Sequence, residues 1–386
     1  MERVCDYNIC SGCGVCTSVC PRSCISMEEG EKGHLYPVID TSLCIDCKKC
    51  ERTCPALKEH TGEEPTVAYA AFARSEHEYM TTTSGGAAQI LSLQTIKDGG
   101  IVYGCASLPG AVIRHIRIDN IADLELLKGS KYVQSDVTEV YKEIRSDIKS
   151  GRQVLFIGTP CQTAAVAALF PKRPENLLLV ELICHGVPSQ KSLQSYLRRY
   201  ITDLKSVSRI RFRTEEGFQC EVTGSNGERL YQSVPLSKSQ YGDRYYSPFF
   251  FGFSYRASCY TCPYAKPQRC SDITIGDFWG LGAEGNPPQF PEHSKGISLI
   301  LPVTAKGKEM FGKVKDAFYY AERTVEEAIK GNKQLQQPTR HTLRIKSYEK
   351  LSHITGENMA FHLTNIDWHV RLFLRPYIHK IKKKGK

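Results

Sequence analysis

The spacing of hydrophobic and polar positions predicts alternating strands and helices from about residue 66 onward. Short apolar runs such as "TVAYAAFA", "GIVYGCA" and "GISLILPVT" predict buried strands. In "TTTSGGAAQILSLQTIKDGG" the apolar residues recur at helical spacing. Ser84 is suited to the N-cap of this helix, and Gly99 is suited to its carboxyl end. "RIRFRTEEGFQCEVTGSNGERLYQ" predicts a β-hairpin that turns at Asn226 and Gly227. The alternation indicates a mixed α/β domain.

Two predicted strand-turn-helix units carry polar residues at their turns. In "QVLFIGTPCQTAAVAALF" an apolar strand runs into Gly158, and Thr159 and Pro160 suit the N-cap and the first position of a helix. In "NLLLVELICHGVPSQKSLQSYLRRY" the strand ends at Cys184, and the next segment has apolar residues at helical spacing. Because ligands of open α/β sheets bind at the carboxyl ends of the strands, we expect both turns to face one cleft.

Before residue 60 the pattern is dominated by cysteine. "CSGCGVCTSVCP" recurs 34 residues later as "CIDCKKCERTCP", with the same spacing of four cysteines followed by proline. Three cysteines at this spacing let a short loop bind three iron corners of a 4Fe-4S cluster, while the fourth cysteine reaches the neighbouring cluster. Zinc is the alternative, although zinc sites usually show two pairs of ligands. The rule predicts one cluster on Cys10, Cys13, Cys16 and Cys54, and a second on Cys44, Cys47, Cys50 and Cys20.

Composition narrows the class of protein. Seventeen cysteines among 386 residues indicate metal or redox chemistry, because the start "MERVCDYNIC" lacks the apolar run of a secretory signal. The longest apolar run is only as long as a strand, so we expect a cytoplasmic protein without a disulfide framework. The net charge of +10 comes with no nucleic-acid-binding signature, so no nucleic-acid partner is expected. Basic surface could attract an acidic electron carrier or an anionic cofactor, or it could simply be solvated.

A third group of cysteines lies in "SCYTCPYAKPQRCSDITIGDFWG", just before an apolar strand that ends at Asp277. Cys259, Cys262 and Cys270 supply three thiolates, whereas a 4Fe-4S cluster or a structural zinc ion needs four ligands. If this segment binds either, the fourth ligand must come from elsewhere in the chain.

The motifs "SGGAAQIL", "GSKYVQSD", "GTPCQ", "CHGVPS" and "CYTCPYAKPQRCSDITIGDFWG", in this order, resemble the iron-sulfur flavoprotein family typified by the beta subunit of coenzyme F420 hydrogenases and dehydrogenases. The amino-terminal repeat resembles bacterial two-cluster ferredoxins. Together they imply an α+β ferredoxin-like domain followed by a mixed α/β flavin-binding domain. The expected limits are a two-cluster domain at 1–60, a linker at 61–65, a flavin and 4Fe-4S domain at 66–305, and a helical basic extension at 306–386.

The family resemblance also implies cofactor sites. It assigns a third 4Fe-4S cluster to Cys259, Cys262 and Cys270 together with Cys184 at the strand end, and Cys161 is the alternative to Cys184. It assigns FAD to three turns of the main domain, at Ser84, Gly85, Gly86, Ser130, Lys131, Tyr132, Gln134, Gly158, Thr159, Pro160, Cys161 and Gln162.

Three side chains are candidates for more specific roles at the cofactor. Lys131 would stabilise the anionic reduced flavin if it lies near the N1–C2 region, and otherwise it is a surface lysine. His185 could shuttle a proton or only bond a backbone carbonyl. Asp277 is expected to reach the cleft at the end of its strand and to contact the cofactor.

Iron-sulfur clusters exchange single electrons, whereas a flavin also exchanges hydride. We therefore predict a flavin-dependent iron-sulfur oxidoreductase that passes electrons between a ferredoxin-type carrier, three 4Fe-4S clusters and FAD. A substrate or a deazaflavin-like coenzyme would exchange two electrons with the flavin, in either direction. The alternative is an electron-transfer adapter subunit that has no substrate and docks on a partner enzyme. A structural cysteine-rich binding protein is a third hypothesis.

The last residues, "NIDWHVRLFLRPYIHKIKKKGK", mix apolar and basic side chains. Such a segment could lie on an anionic membrane surface. Because Pro376 would interrupt a helix, we expect the tail to pack against its own domain instead.

Overall fold

The computed structural model describes residues 1–239, 242–283 and 285–366. The amino-terminal segment, residues 1–60, contains two short helices and an antiparallel strand pair: α1 (Val15–Val19), β1 (Ile25–Glu29), β2 (Leu35–Ile39) and α2 (Lys49–Thr53). Each helix begins after a residue in the left-handed conformation, Gly14 at φ 69° and Lys48 at φ 56°. The third cysteine of each repeat therefore lies in the first turn of a helix.

The rest of the chain contributes eleven strands within the described residues. They are β3 (Ala68–Ala73), β4 (Ile101–Leu108), β5 (Val112–Ile118), β6 (Val154–Gly158), β7 (Leu177–Leu182), β8 (Val207–Thr214), β9 (Gly217–Gly224), β10 (Arg229–Gln232), β11 (Ile273–Asp277), β12 (Ser298–Pro302) and β13 (Phe318–Arg323). Eight of them form one sheet in the order β13-β3-β12-β11-β7-β6-β4-β5. The other three form an antiparallel meander in the order β10-β9-β8.

The helices of this part pack around the sheets and continue toward the carboxyl end. They are α3 (Glu76–Thr81), α4 (Ala87–Lys97), α5 (Leu124–Leu127), α6 (Val140–Lys149), α7 (Pro160–Ala167), α8 (Gln190–Leu197), α9 (Tyr246–Phe250), α10 (Ala305–Val314), α11 (Val325–Gly331), α12 (Leu343–Thr355) and α13 (Glu357–Thr364). None of the helices described is both long enough and apolar enough to cross a lipid bilayer.

The middle of the large sheet is parallel and deeply buried. Strands β4, β6, β7 and β11 run in one direction, and every residue of β6 is buried. A parallel strand covered on both faces is expected to be apolar throughout, as "VLFIG" is. The turns after β6 and β7 meet at the same edge of the sheet, where ligands of α/β folds bind. The predicted mixed α/β architecture is confirmed.

Local signals located some element boundaries and missed others. Thr159 caps α7 in a capping box with Gln162, and Pro160 is the first helical residue, as predicted. The N-cap of α4 is Gly86, at φ 81°, rather than Ser84, because Ser84 itself lies in a left-handed turn. Strand β7 ends at Leu182, two residues before the predicted end.

Two strands differ from the prediction. The expected hairpin is a three-stranded meander, and Gly227 belongs to its second turn, while the first turn connects β8 to β9. Strand β13 lies within the segment 306–386, for which only helices were predicted, and pairs with β3 at the sheet edge. The domain limits remain predictions. The basic tail, with Pro376, lies outside the described residues.

Two glycines of α10 provide a matched test of packing. A Cβ on Gly307 would lie 1.9 Å from the backbone oxygen of Asp272, whereas a Cβ on Gly312 would meet no atom within 4 Å. Gly312→Ala is therefore expected to raise the free energy of unfolding by about 1 kcal/mol through helix propensity. Gly307→Ala is expected to lower it by about 1–3 kcal/mol through overpacking. Urea denaturation followed by circular dichroism measures both, and equal effects would contradict the packing of α10 on the sheet.

Candidate functional site

The cysteines of the amino-terminal segment form two groups that cross between the repeats. Cys54 lies with the first three cysteines of the first repeat, where its charge would raise the pKa values of Cys13 and Cys16. Cys20 lines a small cavity with the first three cysteines of the second repeat. This is the crossed arrangement that the spacing predicts. We call them the first cysteine site (Cys10, Cys13, Cys16 and Cys54) and the second cysteine site (Cys44, Cys47, Cys50 and Cys20).

The two sites differ in their exposure to solvent. All four thiols of the first cysteine site belong to buried residues, whereas Cys47 of the second is exposed. Cys5 contacts the first site, and its hydrogen bond lowers the pKa of Cys10. Cys24 lies beside the second site, with its Sγ 3.4 Å from that of Cys20. The first site is covered by the main part of the chain, and the second faces outward.

The first cysteine site is anchored to the large sheet and its helices. The hydroxyl of Tyr141, on α6, donates a hydrogen bond of 2.6 Å to the carbonyl of Cys13. Gln134 Nε2 donates to the carbonyl of Ser11 over 2.8 Å. The side chain of Cys13 packs in the same hydrophobic cluster as Tyr141 and the strands β4, β6 and β7. The loop around this site is therefore part of the main core.

A cysteine-lined cavity lies at the carboxyl edge of the parallel strands. Four thiols border it: Cys161 at the start of α7, Cys184 after β7, and Cys259 and Cys262 around the 3-10 turn Ala257–Thr261. Ile9 and Ser11, from the loop of the first cysteine site, also border it. The cavity therefore connects the turns of both strand-turn-helix units to the amino-terminal segment, as the predicted shared cleft requires.

Burial and mutual repulsion disfavour free thiolates in this cavity. Burial first, and then neighbouring thiols, raise the pKa of Cys259 to about 12 and that of Cys262 to about 11. Burial also raises the pKa of Cys161, and it raises that of Cys184 far above the ordinary value. Four such groups become thiolates readily only when a cationic centre binds them. The cavity therefore has the chemistry of a metal-cluster site.

Cys270 lies beside this cavity rather than in its lining. Its Sγ is 3.2 Å from Oε2 of Glu181, a fully buried residue of β7 that also forms an ion pair with Arg269. The predicted ligand set included Cys270 and had Cys161 only as an alternative to Cys184, and that ligand set remains a prediction. Cys161, at the start of α7, and Cys184, after β7, both line the cavity, so the two thiols are available together.

His185 borders the cysteine-lined cavity and is held from the carboxyl-terminal part of the chain. Gln334 Nε2 donates to His185 Nδ1 over 2.7 Å, and the hydroxyl of Thr339 donates to the His185 carbonyl over 3.3 Å. Burial lowers the pKa of His185, Asp277 opposes that shift, and Arg213 adds to it. The ring is therefore neutral near pH 7, with its proton on Nε2.

A second cavity, of about 350 Å³, opens beside the meander. Alternate residues of β8, Arg209, Arg211 and Arg213, project toward it, because every second side chain of a strand lies on one face. Ser84 and Asp277 line it as well. This arginine-lined cavity has the size of a small-molecule site and a cationic wall.

Two buried polar atoms of the arginine-lined cavity have no hydrogen-bond partner among the residues described: Ser84 Oγ and Arg213 Nε. The terminal nitrogens of Arg213 bind the carboxylate of Asp277, at 2.7 Å for Nη2 and Oδ2. A buried donor without an acceptor is costly, and a ligand oxygen would satisfy it. The cavity therefore fits an anionic or oxygen-rich ligand.

The residues predicted to bind flavin are divided between the two cavities. Ser84, Ser130 and Asp277 line the arginine-lined cavity. Five further predicted flavin residues line the cysteine-lined cavity: Gln134, Thr159, Pro160, Cys161 and Gln162.

The remaining predicted flavin residues have structural contacts of their own. Lys131 Nζ donates to the carbonyls of Leu127 and Lys128 at the end of α5, over 2.8 and 3.0 Å. Burial lowers the pKa of Lys131 to about 8. Tyr132 packs among aromatic rings, with the Arg213 guanidinium 5.7 Å from its ring centre.

The glycines of these turns serve close packing. A Cβ on Gly85 would lie 2.0 Å from the backbone oxygen of Ala71. A Cβ on Gly158 would lie 2.7 Å from the Phe156 ring. Gly86 supplies the left-handed N-cap of α4.

Sequence reasoning missed the arginines of both cavities. The alternation "RIRFR" carried a usable signal, because arginines at every second position of a strand share one face. Arg256, which borders the cysteine-lined cavity, had no comparable signal in its surroundings.

Within the described part of the chain, no three Cys, His, Asp or Glu side chains lie close enough to hold a single metal ion. This applies to the first and second cysteine sites as well. The ligands of a four-iron cluster bind different iron atoms and need not converge on one point.

Comparison with known proteins identifies both parts of the chain. Residues 151–328 match the family described as the C terminus of the beta subunit of coenzyme F420 hydrogenase/dehydrogenase. This part of the chain is similar to that beta-subunit family. Residues 9–57 match the 4Fe-4S dicluster domain. The protein is therefore an iron-sulfur electron-transfer protein related to the F420 hydrogenase beta subunit.

Two individual relatives accompany these families. An uncharacterized ferredoxin of Methanocaldococcus jannaschii is 36% identical over 55 residues, which are 14% of this chain and 70% of the ferredoxin. A xenon-derivatized structure of the F420-reducing nickel-iron hydrogenase complex from Methanosarcina barkeri is similar at 19% identity and a TM-score of 0.45. That match covers 77% of this chain and 95% of the other.

The unequal exposure of the two dicluster sites leads to a prediction. Under a limiting amount of an iron chelator, the cluster of the second cysteine site is expected to lose iron first, because Cys47 is exposed. Electron paramagnetic resonance of the reduced protein would follow the two signals over time. A Cys47→Ser variant identifies which signal belongs to the second site, and equal rates of loss would contradict the expected protection of the first.

Proposed function

We propose that this protein is a flavin-dependent iron-sulfur oxidoreductase in which a third 4Fe-4S cluster lies between the dicluster domain and an FAD molecule. The observation that carries the proposal is the cysteine-lined cavity, where four partly buried cysteines meet the loop of the first cysteine site. An adjacent cavity with a cationic wall supplies a place for the flavin.

The third cluster is assigned to Cys161, Cys184, Cys259 and Cys262, which we call the third cysteine site. Four thiols match the four iron corners of a 4Fe-4S cluster, and their raised pKa values favour coordination over free thiolate. Gly186, at φ 132°, packs against the Tyr255 ring and lets the chain turn directly after Cys184.

FAD is assigned to the arginine-lined cavity. Ser84 Oγ and Arg213 Nε would satisfy their open hydrogen-bonding capacity on its oxygens, and Arg209 and Arg211 would face its phosphates. When bound, the flavin supplies the exchange between single electrons and electron pairs. In this assignment Lys131 acts indirectly, because its ammonium group holds the end of α5 beside Ser130.

Charged side chains connect the two cavities. Asp277 and Arg213 line the arginine-lined cavity, and both influence the pKa of His185, which borders the cysteine-lined cavity. His185 is neutral near pH 7 and can donate from Nε2. It is the candidate for handling a proton between the two sites.

The carrier partner is proposed to dock at the second cysteine site. Arg22, Lys48 and the exposed Ile45 border that cavity beside Cys47. Lys49 follows on α2, and its side chain is exposed. An acidic electron-carrier protein would be attracted to this surface and would meet the most accessible of the three sites.

The adapter hypothesis shares these cofactors. It differs in having a partner enzyme rather than a substrate at the flavin. The matched family is described as a beta subunit, and a subunit works within an assembly, which is what an adapter would require.

Two serine substitutions test the third cluster. Cys161→Ser is expected to remove about four iron atoms and four sulfides per chain, because it deletes one of the four ligands. Cys270→Ser is the matched control and is expected to retain the full content. Iron and acid-labile sulfide are measured on anaerobically purified protein. Loss of iron in Cys270→Ser but not in Cys161→Ser would replace Cys161 by Cys270 as ligand.

The flavin assignment is tested on the whole protein. Anaerobically purified protein is expected to contain FAD that dithionite reduces through the clusters. Arg213→Gln is expected to weaken FAD binding by about tenfold or more, because hydrogen bonds to charged groups contribute about 1.5–3 kcal/mol. Arg229→Gln, on the exposed strand β10, is the control. A protein with all its iron but no FAD would overturn the proposal.

A panel of electron donors separates the two hypotheses. A reduced deazaflavin coenzyme, reduced nicotinamides and reduced ferredoxin are offered in turn to the protein alone. Two-electron turnover with a small-molecule donor supports the enzyme. Reaction with ferredoxin alone favours the adapter.

A further inference from the structure

Arg256 places a guanidinium group between the first cysteine site and the cysteine-lined cavity. The residue is 1% exposed, and it borders that cavity. Its Nε donates to the carbonyl of Cys10 over 2.7 Å, and its Nη2 lies 3.9 Å from the Cys10 sulfur. The remaining contacts fix its plane: Nη1 donates to Gln134 Oε1, Nη2 to the carbonyl of Leu35, and Cζ stacks over the ring of Tyr36.

Among the residues that the structure describes, no carboxylate balances this buried charge. Within the ranges that the structure describes, no Asp or Glu forms an ion pair with Arg256. Its hydrogen-bond partners are carbonyl and amide oxygens and a sulfur atom. A buried cation without a counter-charge is strongly destabilising. The nearest group that can become anionic is the Cys10 thiol, whose Sγ lies 3.9 Å from Arg256 Nη2. Arg256 also borders the cavity that Cys161 and Cys259 line.

The absence of a side chain at Gly12 leaves space for the Arg256 guanidinium. Gly12, between two ligands of the first site, has φ 64°, and a Cβ there would lie 2.5 Å from Arg256 Nη1. The backbone N–H of Cys259 donates to the Arg256 carbonyl over 3.0 Å. One residue is thus fixed to the loops of both sites.

We infer that Arg256 is the shared counter-ion of the cluster at the first cysteine site and the cluster at the third. The role of Arg256 at the first cysteine site depends only on the dicluster domain. Its role at the third cysteine site rests on the proposed function. One-electron reduction adds a negative charge to a cluster and forms or breaks no bond. A fixed cation therefore favours the reduced state of both clusters and raises their potentials, while the second site is affected least.

The test is a potentiometric titration of the full-length holoprotein, reduced stepwise by dithionite and followed by electron paramagnetic resonance. Arg256→Met and Arg256→Gln remove the charge, and Gln keeps a hydrogen-bond donor. Arg256→Lys keeps the charge. Arg145→Met is the matched control, because Arg145 donates to the Ser18 carbonyl of the same domain. The cluster of the second cysteine site is an internal control within every sample.

The neutral variants are expected to make reduction of the first-site cluster about tenfold less favourable, which corresponds to about 59 mV for a one-electron couple. Arg256→Lys is expected to retain most of the parental potential. Unchanged first-site potentials in the neutral variants, or equal shifts at the second site, would overturn the inference. Loss of the first-site cluster in the two neutral variants, but not in Arg256→Lys, supports the inference. Cluster loss in all three variants overturns it, because the role would then be one of shape.

The two parts of the inference are separable. The iron content of the parent protein decides whether a third cluster exists, independently of Arg256. If the parent protein contains three clusters, the potential of the third-site cluster must shift together with that of the first-site cluster in the neutral variants. With two clusters, the proposed function and the shared role both fail, and the first-site shift still tests the counter-ion role at Cys10.

Discussion

The fold depends on the insertion of one cysteine loop into the core of the larger domain. Cys13 packs with the strands of the large sheet, Tyr141 binds its carbonyl, and Arg256 binds the carbonyl of Cys10. These contacts join the dicluster domain to the sheet through buried polar groups that must all be satisfied together. The domains therefore cannot move apart without exposing unpaired donors, which gives the first cysteine site a fixed position beside the cysteine-lined cavity.

The two cavities differ in character. The cysteine-lined cavity is bordered by loops from several elements, and desolvation raises the pKa values of Cys184 and Cys259 in its wall. The arginine-lined cavity lies against a strand whose alternate side chains are cationic, and it retains unpaired polar atoms. The former suits a cluster and the latter an anionic organic ligand. Asp277 and Arg213 couple them electrostatically through His185.

Local signals in the sequence predicted the grouping of the amino-terminal cysteines and some of the helix boundaries. The repeated cysteine spacing predicted the crossed pairing of Cys20 and Cys54, and Thr159 with Pro160 predicted the start of α7. The position of Cys270 could not be predicted, because its contact with Glu181 depends on how β7 and β11 pair. Strand β13 was missed since its exposed face is polar and its pairing with β3 is distant in sequence.

The walls of the cysteine-lined cavity have a consequence for biogenesis. They include Ile9 from the loop of the first cysteine site and Thr339, which lies far downstream in the sequence. The enclosure is therefore incomplete until at least the first 339 residues have been translated. A nascent chain can assemble the dicluster repeat early, but any prosthetic group that needs the closed cavity must be inserted after residue 339 has been synthesised.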